Sequence, residues 1–270
     1  MTLTWEKKKV LVVVKTYPEK SKRHGYIVCT AGITEDGDWI RLYPITTSKF
    51  IGDSGISKFD WIEVECKKVT NEKLKRKESY KVRKESINII DTSLKQGKNK
   101  WNERNKFILK HLNSSIEDLR DSFYQDKISL GLIKPKEIIE FYKTEELEQY
   151  ETNLGYQKTL SGNKVPIPTK IPHIFKYKFL CAGCKENLHD IQCEDWELLE
   201  SYRKWGLKYT DPDILWEKIY EKYYKWMIER DLYFFMGTYS QYPTWMIIGL
   251  YYPPKNKKYI TLDNFNGPYF

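Results

Sequence analysis

Short runs of β-branched and aromatic residues, each ended by turn-forming residues, constrain the fold of this chain more than any other feature. The first two runs, at 10–17 and 26–33, stop at Pro18 and at an Asp36-Gly37 turn. A further run at 39–44 follows that turn and completes the pattern of a β-hairpin.

A fourth run alternates strictly between apolar and polar positions. Ile62, Val64 and Cys66 share one side of a strand, and Glu63 and Glu65 share the other. Because successive side chains of a strand point to opposite faces, we predict one buried face and one solvent-facing side. Four or five short strands within about seventy residues predict a small meander or barrel.

The composition indicates a folded chain with an aromatic core and an anionic partner. The sequence contains 21 Tyr, 9 Trp and 11 Phe, which favours a core of aromatic residues spread over many strands. The formal net charge is +9, although 37 acidic residues divide this excess into patches. Nucleic acid is therefore the first candidate partner.

Cellular location and cysteine chemistry are predicted from two further features. The apolar stretch at 10–14 is too short for a signal peptide or a membrane span, which predicts a soluble cytoplasmic protein. In that setting five cysteines, three of them clustered, favour thiolate ligands or reduced core residues over disulfides.

The later part of the chain mixes helical and extended patterns. Helical spacing marks 101–123, and two further helices are predicted, one capped by Asp195 or Glu194 and one capped by Asp211. Apolar runs at 231–238 and 245–252 then predict two closing strands.

Three of the five cysteines and one of the four histidines fall in a single short segment. Their spacing is Cys181-x2-Cys184-x4-His189-x3-Cys193, close to that of small zinc knuckles. We predict that these four residues bind a structural zinc, because four protein ligands leave no position for a catalytic water. The alternative interpretation is a surface hairpin with incidental cysteines.

Basic segments at 20–23, 67–84 and 95–110 are interleaved with aromatic residues such as Tyr80 and Trp101. Lysine and arginine neutralise phosphates, and aromatic rings stack on single-stranded bases. A solvated charged surface is the alternative. The predicted nucleic-acid contacts are Lys15, Lys20, Lys22, Arg23, Arg41, Tyr43, Tyr80 and Arg83.

One motif favours catalysis, but only weakly. Glu63, Glu65 and Lys67 match the acid-x-Lys spacing of metal-dependent nucleases, in which carboxylates hold Mg²⁺ and the lysine orients water. The sequence contains no glycine-rich phosphate loop, no nucleophile elbow and no base-deaminase motif.

Nine short segments, in order along the chain, resemble the dual OB-containing domain family of prokaryotes. They are VVVKTYP (12–18), CTAGI (29–33), WIRLYP (39–44), DWIEV (60–64), ESY (78–80), GLIKP (131–135), DWE (195–197), YFFMGT (233–238) and IIGLYYP (247–253). The resemblance implies two OB-like barrels and an association with nucleic-acid-handling or anti-phage conflict systems. It brings no established catalytic residues.

Together, these observations predict a β-rich α+β protein in four parts. They are a first OB-like barrel at 8–92, a helical insertion at 93–127, a second OB-like barrel with two helices at 128–254, and a C-terminal tail at 255–270. The leading functional hypothesis is a nucleic-acid-binding or sensing module without its own catalysis. The alternatives are the metal-dependent nuclease and a protein-interaction subunit of a partner effector.

Overall fold

The computed structural model describes residues 4–21, 24–52, 54–70, 76–96, 99–146, 156–158, 164–166, 171–184, 187–239 and 244–255. The strands in these residues are β1 (Glu6–Lys15), β2 (Glu19–Ser21), β3 (Gly25–Thr34), β4 (Trp39–Thr46), β5 (Trp61–Lys68), β6 (Ser79–Val82), β7 (Asn88–Asp91), β8 (Leu112–Asn113), β9 (Leu130–Ile133), β10 (Pro135–Glu145), β11 (Tyr156–Lys158), β12 (Lys164–Pro166), β13 (His173–Cys181), β14 (His189–Gln192), β15 (Tyr233–Thr238) and β16 (Trp245–Tyr251). The helices are α1 (Lys100–Ile108), α2 (Ile116–Asp126), α3 (Trp196–Gly206) and α4 (Pro212–Tyr220), which continues as a π-helical segment (Glu221–Trp226).

Five strands of the first half close into a barrel. β1 pairs antiparallel with β3 and β5, β3 pairs with β4, and β5 pairs with β6. A parallel pairing of β4 with β6, in which Leu42 lies opposite Tyr80, completes the circuit. The barrel is OB-like, which confirms the first predicted barrel. β2 and β7 add edges on β3 and β5.

The alternation predicted for β5 is confirmed. Ile62, Val64 and Cys66 have no exposed surface and belong to the apolar interior of the barrel. Glu63 and Glu65 lie on the other face, where they are half-buried. Strict alternation therefore fixes the register in which this strand enters the barrel wall.

The outer side of the barrel is covered where β1 and β3 meet the second half. Leu11, Val13 and Ile33 are fully buried there, in one core with Leu132 and Phe235 of β9 and β15. A strand buried on both faces needs apolar residues at consecutive positions. The unbroken apolar run in β1 is thus explained by a second layer packed on the barrel.

The second half is also rich in strands. β16, β15, β9 and β8 form one sheet in that order, β10, β13 and β14 form another, and β11 pairs with β12. A parallel bridge between Cys193 and Ile247 links the two larger sheets. The described residues of this half give two linked sheets without the closed circuit of the first half.

The helices begin where side-chain caps are available. Asp195 accepts a hydrogen bond from the Leu198 amide at the start of α3, and Asp211 caps α4 with Pro212 in the first turn. α2 begins after Ser115, whose hydroxyl oxygen accepts a hydrogen bond from the Asp118 amide.

Residues 145–170 and the predicted C-terminal tail lie largely outside the described residues. Only short parts of 145–170 are described, including the antiparallel β11–β12 pair, and of the predicted tail only Lys255 is described. Among the described helices, none has the length and apolar character needed to cross a membrane.

Candidate anion-binding pocket and metal centre

A pocket of about 360 Å³ lies where the barrel meets the second half. Its wall combines the end of β1, the segment before β5, the start of α1 and the end of β16. The basic residues that line it are Lys15, Lys58, Lys95, Lys100 and Arg104, and the aromatic ones include Trp101 and Tyr252. Such a combination of cations and rings suits an anion that carries an apolar group.

Lys58 forms the floor of the pocket and is held by two carboxylates. Its Nζ lies 2.8 Å from Asp195 Oδ2, 2.6 Å from Glu197 Oε2 and 3.1 Å from the Leu250 carbonyl oxygen. Burial lowers the pKa of Lys58, but the two carboxylates outweigh burial and hold the pKa above its ordinary value. Lys58 is therefore charged, and the protein itself neutralises that charge.

Lys15 differs from Lys58 in its partners. Its side chain is nearly buried, at 7% exposure, and Nζ lies 4.7 Å from the ring centroid of Trp196 and 5.7 Å from that of Phe50. Among the described residues no carboxylate forms an ion pair with Lys15, and burial lowers its pKa. An anion in the pocket would remove part of the cost of burying this charge.

Arg104 is a second buried cation without a carboxylate partner in the described ranges. It is 5% exposed, and it donates to the carbonyl oxygens of Leu94 and Lys95 at 2.7 and 3.3 Å. Its guanidinium lies 3.6 Å from the ring centroid of Phe59. Burial lowers the pKa of Arg104 to about 10, so the group remains a cation at neutral pH.

The predicted nucleic-acid residues separate into buried and exposed groups. Lys15 lines the pocket, while Arg41 is 4% exposed and donates to the Ser129 carbonyl oxygen at 3.1 Å. Arg41 is thus part of the contact between the two halves. Tyr80 is half-buried, with Lys8 and Lys68 over its ring.

The remaining predicted contacts that the structure describes lie outside the pocket. Lys20, Tyr43 and Arg83 are exposed on the barrel. Lys22 and Arg23 lie outside the described residues. Of the predicted residues that the structure describes, Lys15 alone lines the pocket.

Of the other basic pocket residues, three carry a signal in the sequence and one, Lys58, carries none. Lys95, Lys100 and Arg104 all fall in the basic segment at 95–110. Nothing in the sequence marked Lys58, whose carboxylate partner Asp195 is 137 residues away.

The nuclease candidates lie on the outer face of β5. Glu63 pairs with Lys7 at 3.3 Å, and Glu65 pairs with Arg83 at 2.7 Å. Each carboxylate is matched by a cation of the barrel surface, and neither belongs to the metal-capable group that the described residues contain.

That group consists of Glu117, Cys181, Cys184 and His189, whose ligand atoms all lie within 4.8 Å of one another. His189 Nε2 is 3.1 Å from Cys184 Sγ and 3.7 Å from Glu117 Oε1. Three of the four predicted ligands are therefore brought together, and these side chains could hold a metal ion. Glu117, at the start of α2, takes the position that the sequence assigned to Cys193.

Cys193 lies apart from this group. Its backbone amide donates to the Phe175 carbonyl oxygen at 2.8 Å, and the residue bridges to Ile247 of β16. Burial raises the pKa of its thiol well above the ordinary value, chiefly through desolvation. Cys193 thus acts as an apolar core residue of the junction between the sheets.

The donor set fits a metal in two respects. Glu117 Oε2 is buried and has no hydrogen-bond partner among the described residues, so one carboxylate oxygen is available for a cation. Burial lowers the pKa of His189, which favours the neutral imidazole that ligates metals. The Cys181 amide also donates to Cys184 Sγ at 2.9 Å.

The two cysteines of this group are joined as a disulfide in the structure. The sequence favoured reduced cysteines because of the predicted cytoplasmic setting, whereas in the structure the two sulfur atoms lie in bonding contact. Metal binding requires the reduced thiolate form of this pair.

The fold and these two sites define a strand-rich α+β protein with an OB-like barrel, a basic pocket and a group able to hold a metal. The chain belongs to the DUF8757 family, a domain of unknown function whose model matches residues 111–266. Residues 6–110 match a second domain of unknown function, DUF8758. None of the curated proteins matches the chain.

Proposed function

We propose that the protein is a nucleic-acid-binding or sensing module without its own catalysis, acting on single-stranded or structured nucleic acid in a prokaryotic defence or genome-maintenance setting. The observation that carries the proposal is a pair of buried cations, Lys15 and Arg104, that line one pocket and form no ion pair with a carboxylate among the described residues. Glu197 of the same wall acts on both charges from a distance, but its direct ion pair is with Lys58. A buried charge without a counter-charge is costly unless a ligand supplies one.

The position of the pocket supports a role that needs both halves of the chain. The basic side chains come from residues 6–110, whereas Glu197, Tyr251 and Tyr252 come from residues 111–266. OB barrels bind oligonucleotides on one sheet face and its loops. Here part of the barrel surface is covered by the second half, so the junction is the site that we assign to the ligand.

A salt titration tests this proposal. Fluorescently labelled single-stranded DNA and RNA are titrated with protein between about 50 and 200 mM salt, and we expect log K to fall linearly with log salt. Lys100→Glu should weaken binding about tenfold or more and reduce the slope, because Lys100 faces the pocket.

The matched control is Lys106→Glu, which makes the same charge change on the same helix but outside the pocket wall. Lys106 pairs with Glu103 on the surface, so its replacement should change affinity much less. Absence of binding at low salt, or equal losses in the two variants, would contradict the proposal. Divalent-dependent cleavage lost in Glu65→Ala would instead favour the nuclease.

We further propose that the second half is also OB-like. The supporting feature is the order of its strands. β9 is followed directly along the chain by β10, which pairs with β13, and β13 pairs with β14. In the other sheet β15 pairs with β9. The parallel bridge from Cys193 to Ile247 corresponds to the parallel β4–β6 pair of the first barrel. A crystal structure in which the backbone at Cys193 does not pair with the backbone at Ile247 would refute this assignment.

We also propose that Glu117, Cys181, Cys184 and His189 hold a structural zinc when the cysteines are reduced. The ion would tie the start of α2 to the β13–β14 connection, and tetrahedral sulfur, nitrogen and oxygen ligation suits zinc. Elemental analysis of reduced protein should give about one equivalent of zinc.

Glu117→Gln should lower the zinc content and the thermal midpoint, whereas Glu103→Gln on exposed α1 should change neither. The thermal midpoint of wild type should also fall after chelation, since zinc bound only to the folded state stabilises it. Less than about half an equivalent in reduced wild type would refute the zinc site.

A further inference from the structure

The floor of the pocket is a rigid polar layer. Asp195 Oδ2 accepts from Lys58 Nζ and from the Leu250 amide at 3.0 Å, while Oδ1 accepts from the Leu198 amide at 3.1 Å. Lys58 and Asp195 side chains are 6% and 1% exposed. A ligand therefore enters from the solvent side and ends at this floor.

The formal charges around the pocket leave a defined excess. Among the described residues five cations line it, and three carboxylates, Glu197, Asp195 and Asp60, lie among or beneath them. Lys58 faces Asp195 and Glu197, while Lys95 lies 2.7 Å from Asp60. Five positive and three negative charges leave two positive charges for a ligand. A phosphomonoester carries about −1.5 to −2 at neutral pH, whereas an internal phosphodiester carries about −1.

The donors that remain available are held in place. Two N–H groups of Arg104 are used by the Leu94 and Lys95 carbonyl oxygens, and the ring of Phe59 packs on the guanidinium. A guanidinium has five N–H groups, so donors on its other edge remain for phosphate oxygens. Lys15 is fixed over the Trp196 ring and directs a second charge to the same space.

Helix α1 adds a third contribution. Lys100 and Trp101 occupy its first turn and line the pocket, and the side chain of the N-cap residue Asn99 makes no capping hydrogen bond. The positive end of a helix favours phosphate groups. The N-terminus of α1 therefore favours an anion in the pocket, as the buried cations Lys15 and Arg104 also do.

The size of the pocket limits the ligand. About 360 Å³ is at the small end of ligand sites, which span about 300 to 1,000 Å³. Trp101 and Tyr252 supply aromatic surface beside the cations. The space suits one nucleotide.

We infer that the pocket binds a terminal phosphomonoester nucleotide, either free or at the end of a single strand, with Lys15, Lys100 and Arg104 holding the phosphate. This inference rests on the proposed nucleic-acid-binding function and names the part of the ligand that the pocket recognises. The strand end, rather than the base sequence, then determines affinity.

Paired oligonucleotides test the inference. Single-stranded DNA of one sequence is prepared with a 5′-phosphate, a 3′-phosphate or hydroxyls at both ends, and free AMP and dAMP are used as competitors. We expect one phosphorylated form to bind at least about tenfold tighter than the hydroxyl form, and a free nucleotide to compete for the same site.

Two variants and one control connect this preference to the pocket. Lys15→Met keeps an unbranched apolar side chain between the rings, and it should reduce the preference for phosphate to about one, as should half-exposed Lys100→Glu. Lys106→Glu should keep the preference. Thermal midpoints close to that of wild type establish that the variants are folded.

The outcomes separate this inference from the broader proposal. Equal affinity for phosphorylated and hydroxyl strands, without competition by free nucleotides, would overturn the inference and leave nucleic-acid binding intact. Binding of a free nucleotide without binding of any strand would overturn the proposed function and leave the phosphomonoester site. A phosphate preference unchanged in both pocket variants would overturn the assigned residues.

Discussion

At the residue scale, Glu194 shows how a carboxylate can oppose stability at neutral pH. It lies between β14 and α3, where its amide donates to the Ile247 carbonyl oxygen and its carbonyl oxygen accepts from the Tyr17 amide. Burial raises the pKa of the Glu194 carboxyl to about 7, against a hydrogen bond from Gln192 that lowers it. Glu19 and Glu146 raise it further.

The sign of the pH effect follows from this raised pKa. A carboxyl with a higher pKa in the folded state binds its proton more tightly there. Protonation of Glu194 therefore stabilises the folded state, and this stabilisation is fully present below about pH 4.5. That contribution is lost as pH rises through about 7. Glu194→Gln should therefore be more stable than wild type at about pH 8, by about 1 to 3 kcal/mol, and should show less pH dependence.

Urea unfolding at about pH 5 and about pH 8 measures the effect, with exposed Glu85→Gln as the control. The control should follow the wild-type pH dependence. Parallel pH profiles for Glu194→Gln and wild type would show that this carboxyl does not titrate differently on folding.

At the element scale, α2 packs on β9 through a glycine. A β-carbon added at Gly131 would meet Leu119 Cδ2 at less than contact distance and Asn113 Oδ1 at 2.8 Å. Leu119 is fully buried and the Asn113 side chain accepts from the Leu132 amide, so neither neighbour moves freely. The close approach of helix and strand therefore requires glycine at this position.

Gly131→Ala should destabilise the protein by about 1 to 3 kcal/mol, because overpacking forces a shift of α2 or β9. The matched control is Gly206→Ala at the end of α3, where the added β-carbon would lie 3.6 Å from Leu215. That substitution should be neutral or slightly stabilising, since alanine favours helix. Urea midpoints compare the two, and equal effects would argue against tight packing at Gly131.

At the scale of the whole molecule, a cluster of buried polar residues, Glu78, Ser129 and Arg41, connects the two halves. Glu78, just before β6, accepts from the Ser129 amide at 2.7 Å, the Ser129 hydroxyl at 2.9 Å and the Leu130 amide at 3.3 Å. Arg41 donates to the Ser129 carbonyl oxygen from the same side. This polar cluster lies beside the apolar core that the two halves share.

Glu78→Ala should lower the free energy of unfolding by about 3 to 5 kcal/mol, because it leaves three buried donors of Ser129 and Leu130 without their acceptor, at about 1 to 3 kcal/mol each. The control Glu65→Ala removes an exposed pair with Arg83 and should cost less than about 1 kcal/mol. Urea unfolding followed by tryptophan fluorescence measures both. Equal effects would show that Glu78 does not couple the halves.

Much of the local structure could be predicted from the sequence, because it depends on neighbours along the chain. The alternation through Ile62 and Val64 identified a barrel strand, and the caps Asp195 and Asp211 marked the starts of two helices. Cys181, Cys184 and His189 were grouped correctly, since they lie on one strand-turn-strand segment.

The sequence by itself determined the strand-rich class, the first barrel and a basic, aromatic chemistry suited to anions. Only the tertiary structure decided that Arg41 is buried at the junction, that Glu117 rather than Cys193 approaches the cysteines, and that Lys58 meets Asp195. These contacts join residues far apart in the chain, and their existence depends on which faces of the two halves pack together. Local periodicity does not show which faces of the two halves pack together, and the pocket forms only where those faces meet.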